Sequence, residues 1–335
     1  MIQEWLVDLI PLEVSLKGES ISQLDDHMIK ACKELHAFIT KLYTDMRDNP
    51  GEYDLIHENE EVVGRAMGVL RGFIWEMIPD GELMGDNIVW IRDFEQKANH
   101  HKGIAKLFSK TAYSVRQRLN FLERCGLHIE ENAEGAYVTN TLYPNIFLPL
   151  FTLRKANERT KSGGWKNYAG FCVYKNCEFR LVADPMFKPT LEDVMYNRVS
   201  PDMKNVLLKI DEYAKQNNLK AESHVGECIY YMLKGKRIFN IRVRRHEVHV
   251  EISIGSIERI NEMLVIYSED FINFIRKNMN YCRNCFPHHG GGNEVSLFGK
   301  KIRICSGGAD LFIKNPMSCQ FENIMQAIDF GCKVV

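Results

Sequence analysis

Four cysteines lie close together near the C-terminal end of the chain, at Cys282, Cys285, Cys305 and Cys319. The Cys282-x2-Cys285 spacing lets two thiolates from one turn bind a tetrahedral zinc ion, and a second pair at any loop distance can complete the site. Cys305 and Cys319 are the available second pair, although their own spacing is not a second knuckle. His288 and His289 are alternative ligands. The competing reading takes all ten cysteines as reduced thiols that behave as small buried hydrophobes. A nucleophilic Cys282 or Cys285 is disfavoured, because the pattern puts Cys282 at a helix C-terminus, where the dipole raises a thiol pKa. The cluster therefore predicts a structural zinc and no catalytic centre.

A second group is basic. Lys97, Lys102, Lys106, Lys110, Arg116, Arg118 and Arg124 share the 97–124 segment with a single acid, Glu123. The chain as a whole has a formal net charge of −1, so any attraction to an anionic partner has to come from such a local excess. A third group, Arg242, His249 and Glu251, shares the polar face of an alternating segment and is the candidate small-molecule site. His246-Glu247-Val248-His249 is one residue short of the zinc-protease spacing, and on a turn leading into a strand its two histidines diverge. No nucleophile elbow, dinucleotide fingerprint or phosphate-binding loop is present in the sequence, and the reading leans away from an enzyme.

These residues have to be positioned by regular elements. Leu24, Met28, Ala31, Leu35, Phe38, Leu42 and Met46 recur at spacings of three and four, which predicts an amphipathic helix over 20–47 capped by Ser20 or Ser22. A second helix is expected over 55–78, ending at Pro79-Asp80-Gly81. Its glycines at 64, 68 and 72 repeat every fourth residue, which suits close approach of another helix backbone, either within the chain or across a homodimer seam. Helical patterning extends over 88–124. The polar run 154–164 reads as a linker, and 171–174 and 178–182 read as short strands. A Ser200-Pro201 cap signal opens a helix over 200–217. Phe239, Ile241 and Val243, then Val248, Val250, Ile252 and Ile254, alternate with polar residues, which predicts a hairpin with one buried and one wet face. Residues 268–278 return to helix.

The expectation is an α+β protein in two parts. A mostly helical domain covers 1–155, and an α+β domain carrying the cysteines covers 163–335.

Within 88–143 the pattern has a specific order. A short helix over 103–109 and a turn at Lys110-Thr111 precede a helix over 112–124 with Ala112, Val115, Leu119 and Leu122 on its inner face. Cys125-Gly126-Leu127 ends that helix, and two extended runs flank 132–135. The segment resembles a winged-helix DNA-binding domain. The resemblance implies double-stranded DNA as partner, with Tyr113, Arg116, Gln117, Asn120 and Arg124 facing the duplex and Lys106 and Lys110 on phosphates. One departure is that the wing carries Glu130, Glu131 and Glu134, which repel a phosphate backbone.

The N-terminus lacks the basic start and long apolar run of a secretory signal. No stretch of roughly 20 uncharged residues is present to span a membrane. A cytoplasmic regulator or accessory protein is expected. Its C-terminal half would sense a ligand or bind a partner, and the hairpin pocket and the glycine-striped helix offer alternative functions. Metal analysis of the purified chain separates the two cysteine readings. The zinc reading predicts about one zinc per chain and four thiols exposed by chelation; metal-free protein with every thiol titrating contradicts it.

Overall fold

The computed structural model describes residues 24–53, 55–56, 60–100, 119–162, 178–185, 187–195, 198–224, 228–243, 247–255, 260–261, 266–279, 293–297, 299–304 and 310–334, with positions 7, 10 and 13–14. The fold is α+β with antiparallel sheets. It divides into two compact units, Met1–Phe187 and Lys188–Val335.

In the first unit, helix α1 (Asp26–Asp48) buries Ala31, Cys32, Leu35, Phe38, Ile39, Leu42, Tyr43 and Met46 along one face. Its cap is Asp25, whose carboxylate accepts the Met28 N–H at 2.7 Å, and not Ser20 or Ser22. An Asp one residue before the first turn satisfies an orphan amide and adds negative charge at the positive end of the helix dipole. Helix α2 (Glu60–Gly72) runs on into a π-helical turn, Phe73–Met77. Ala66, Met67, Val69, Leu70, Phe73, Ile74, Trp75 and Met77 are all buried, so this helix lies inside the unit. The hydroxyl of buried Tyr43 accepts from Arg71 Nε at 3.1 Å and Trp75 Nε1 at 3.3 Å, tying α2 to α1.

The helix expected over 88–124 is interrupted from its first residue. β1 (Glu82–Met84) and β2 (Ile88–Arg92) form a hairpin through Gly85, which has φ +66°. Ile88-Val89-Trp90-Ile91 is apolar at every position, so periodicity alone does not separate strand from helix. The fold resolves it with period two, burying Val89 and Ile91 fully and leaving Ile88 and Trp90 half-buried. Helices α3 (Phe94–His100) and α4 (Leu119–Glu123) come next, then the hairpin β3 (Leu127–Asn132) and β4 (Gly135–Asn140). The four strands are ordered β1-β2-β4-β3, every pair antiparallel.

Helix α5 (Phe147–Ser162) buries Leu150, Leu153 and Ala156 and packs on α1. It takes in most of the run that composition assigns to a linker. The 178–182 segment is likewise not a strand: α6 (Arg180–Ala183) begins there. The Glu178 carboxylate accepts from both the Arg180 amide, at 3.3 Å, and its guanidinium, at 2.7 Å, which favours the turn.

The second unit starts with α7 (Leu191–Met195) and α8 (Pro201–Gln216). Ser200 caps α8 as its sequence predicts, accepting from Met203 N at 3.3 Å. The meander β5 (Lys220–His224), β6 (Cys228–Leu233), β7 (Lys236–Val243) and β8 (Val248–Ser253) is followed by α9 (Glu269–Asn278), capped by Ser268. A separate hairpin, β9 (Asn293–Leu297) and β10 (Lys300–Ile304), precedes β11 (Asp310–Lys314), which returns to pair with β8. The five-stranded order is β11-β8-β7-β6-β5. Helix α10 (Phe321–Val334) packs on β7 and β8, with α8 and α9 beside it. Tyr231 stacks on Phe239 with centroids 4.2 Å apart and donates to Asp211 of α8 at 2.7 Å.

Gly135 tests the close packing of the first sheet. A Cβ there would meet the Ile91 carbonyl oxygen and lie 2.8 Å from the Trp90 ring. Gly135→Ala is therefore expected to lower unfolding free energy by roughly 1–3 kcal/mol, the range for overpacking. Denaturant melts superimposable on the parent's would contradict this packing.

Candidate functional site

Within the basic segment, α4 and its exit into β3 are described. Leu119 and Leu122 point into the core and Asn120 is exposed. Lys106, Lys110, Tyr113, Arg116 and Gln117 lie outside the described residues. The chain leaves α4 through Gly126 at φ +82°, where a side chain would also collide with Asn140 and Leu142. Buried Asn140 organises the corner, donating to Cys125 O at 3.3 Å and accepting from Leu142 N and Tyr143 N at 3.0 and 2.8 Å.

Arg124, expected to face the duplex, is held by two carboxylates. Its Nε donates to Asp45 at 3.2 Å and its Nη1 to Glu52 at 2.9 Å. Asp45 also accepts from the Tyr53 hydroxyl and from Asn49 Nδ2 at 2.7 Å. Burial alone would raise the Asp45 pKa, but hydrogen bonds from Tyr53 and Asn49 and the Arg124 charge hold it below the usual value. Tyr53 is pushed strongly up, first by burial and then by its bond to Asp45. Asp45 and Arg124 are 79 residues apart in sequence, so no local pattern signals their pairing. At the hairpin tip Asn132 accepts from Glu134 N at 2.8 Å and Gly135 N at 3.1 Å. Glu131 and Glu134 are exposed, and Glu130 lies within reach of His128 at 3.3 Å.

The structure brings the third group together on the second unit's sheet. Arg242 and His249 are cross-strand partners, and Arg242 reaches Glu251 diagonally at 3.8 Å. The opposite face, bearing Ile241, Val250 and Ile252, meets the helices. This polar face is not uniformly wet as the alternation predicts. His249 is 5% exposed, lying beside Glu247 and edge-on to Phe312 with centroids 4.3 Å apart. Asn240, the neighbour of Glu251 across the strands, is 0% exposed. Its Oδ1 accepts from Arg237 Nη1 at 3.2 Å, and Arg237 also reaches Asp310 at 3.4 Å and lies 5.5 Å above the Tyr230 ring. Burial raises the Asp310 pKa, with Arg237 opposing. Neighbouring side chains cover these polar groups, the Arg237 guanidinium over Asn240 and Phe312 against His249, which a two-letter polar/apolar pattern does not reveal.

Of the proposed metal ligands, Cys282, Cys285 and Cys305 lie outside the described residues. Cys319 is exposed, on the 3-10 turn Ser318–Gln320. Among the described residues no three His, Cys, Asp or Glu side chains gather to hold a metal, and no helix is long and apolar enough to cross a membrane. On the glycine-striped helix, Gly72 is buried within the chain and Gly68 half-buried.

The Asp45 cluster sets a pH dependence. A carboxylate with a depressed folded pKa contributes stability above its unfolded value near 3.8, and that contribution disappears as pH falls through the lower folded value. The first unit should therefore lose stability below about pH 4. In Asp45→Asn that part of the slope should be missing, as read by thermal melts across about pH 2–6. An unchanged slope in the variant would show that the cluster adds nothing.

Comparison with protein-family models, curated proteins and solved structures found no significant match.

Proposed function

We propose that residues 88–140 act as a winged-helix unit that binds double-stranded DNA. The strand order carries the reading. β2 precedes the basic segment, β3 and β4 come after it, and β2 lies next to β4 in the order β2-β4-β3. A strand, helices and a hairpin joined in this way hold the helical segment against one small sheet and present its other side to a partner. On this proposal Lys106, Lys110, Tyr113, Arg116 and Gln117, which lie outside the described residues, face the partner together with exposed Asn120.

Two features narrow the mode of binding. Arg124 is the anchor of α4, because a guanidinium already shared between Asp45 and Glu52 has little left to offer a phosphate. The acidic hairpin tip stands away from the phosphate backbone, since like charges there oppose contact. Recognition then rests on the helical segment, with Gln117 and Asn120 suited to adenine edges and Arg116 to guanine.

The test is salt-dependent binding of the full chain to a generic duplex, measured by fluorescence anisotropy. With about four phosphate contacts, log K should fall against log salt with a slope of roughly −3 to −4. Replacing Lys106 and Lys110 together by Ala should bring the slope about two units closer to zero, with the melting temperature unchanged. Arg124→Ala should lower the melting temperature instead. Absence of binding at low salt, or a double variant that binds like the parent, would overturn the proposal.

A further inference from the structure

We propose that the polar face of the five-stranded sheet binds a planar heterocycle with a lactam-type edge, with guanine, as free base or nucleoside, the best fit to Asn240 and Glu251. The inference is independent of DNA binding by the first unit.

Asn240 is the starting point. Its side chain is fully buried, yet its Nδ2 has no hydrogen-bond partner. In the free protein Oδ1 accepts from Arg237, so the atom left unpartnered is the Nδ2 donor. A buried donor without an acceptor is destabilising, and native structures rarely keep one without a use. Directly across the strands lies Glu251, a carboxylate whose nearest cation, Arg242, is 3.8 Å away, beyond hydrogen-bond length. An open donor and an acceptor therefore stand side by side on one face, about 5 Å apart at Cβ.

That pair matches a ring edge with a carbonyl next to an N–H. Asn240 donates to the carbonyl, and Glu251 accepts the N–H. Guanine adds an exocyclic amino group, so that both carboxylate oxygens are used. Adenine and cytosine offer Glu251 only one donor group, and uracil has no amino group at all. The same cross-strand row continues to Tyr230 on one side and Phe312 on the other, both half-buried, which supplies ring surface for stacking. Arg237, 32% exposed at its side chain, lies over Asn240 and Tyr230 and is the group that has to swing aside. Its link to Asp310 gives it a second resting place. The charge balance selects among guanine compounds. Arg237, Arg242 and Lys314 share this face with Glu222, Glu251 and Asp310, and Glu247 lies beside Lys314, which gives no surplus of positive charge for a phosphate chain.

Isothermal titration of the full chain with guanosine, adenosine, uridine, GMP and a short single-stranded oligonucleotide tests this. Guanosine should bind at least about 10-fold tighter than adenosine or uridine, and GMP no tighter than guanosine. Glu251→Gln should weaken guanosine at least about 10-fold. Asn240→Leu removes the orphan donor at similar volume, so it should abolish binding while leaving the melting temperature equal to or above the parent's. Absence of guanosine binding at millimolar concentration would overturn the proposal. So would equal affinity for adenosine, a preference for GMP or the oligonucleotide, or undiminished binding by Glu251→Gln.

Discussion

The carboxylate of Asp45 gathers Tyr53, Asn49 and Arg124 and so fixes where the chain emerges from α4. Two of its partners come from the turn that ends α1, and the third from the end of α4 next to the four-stranded sheet. Each partner alone is a modest, partly exposed interaction. Acting on one carboxylate with little exposed surface, they form a small network whose members support each other. Gly126 and Asn140 complete the corner, one by its left-handed backbone and the other by capping three backbone groups. The segment proposed to contact DNA is thereby tied at its C-terminal end to α1 and the turn that follows it.

The second unit presents the opposite case. Where its sheet meets the helices, even the Tyr231 hydroxyl is satisfied, on Asp211. Its polar side keeps one buried amide without an acceptor. A buried group of that kind points to a binding surface, because a ligand can supply what the fold withholds.

Much of the fold is legible in the chain. The buried stripe of α1, the serine caps of α8 and α9, and the β7–β8 alternation all follow from local rules. The elements that escape local rules are decided by tertiary competition. Ile88–Arg92 is too short and too uniformly apolar for its period to be read. Residues 154–162 are polar, yet they extend a helix anchored by Leu150 and Leu153. Asp25 takes the cap that the pattern offers to serines further upstream. For the sites, the alternation places Arg242, His249 and Glu251 on one face, and the strand register does the same. Asn240 and Arg237 give no such signal, because a polar residue in an alternating strand reads as solvated whether or not neighbouring side chains cover it. The engagement of Arg124 is not readable either, since its partners lie 72 and 79 residues away.

Duplex DNA is proposed to meet the helical segment of the first unit and not its acidic wing. Hydrogen–deuterium exchange of the full chain, with and without a duplex at low salt, tests this most directly. Slowed exchange confined to 101–124, with 128–135 unchanged, is the predicted result. Protection centred on the hairpin, or no difference between the free and mixed samples, would contradict it.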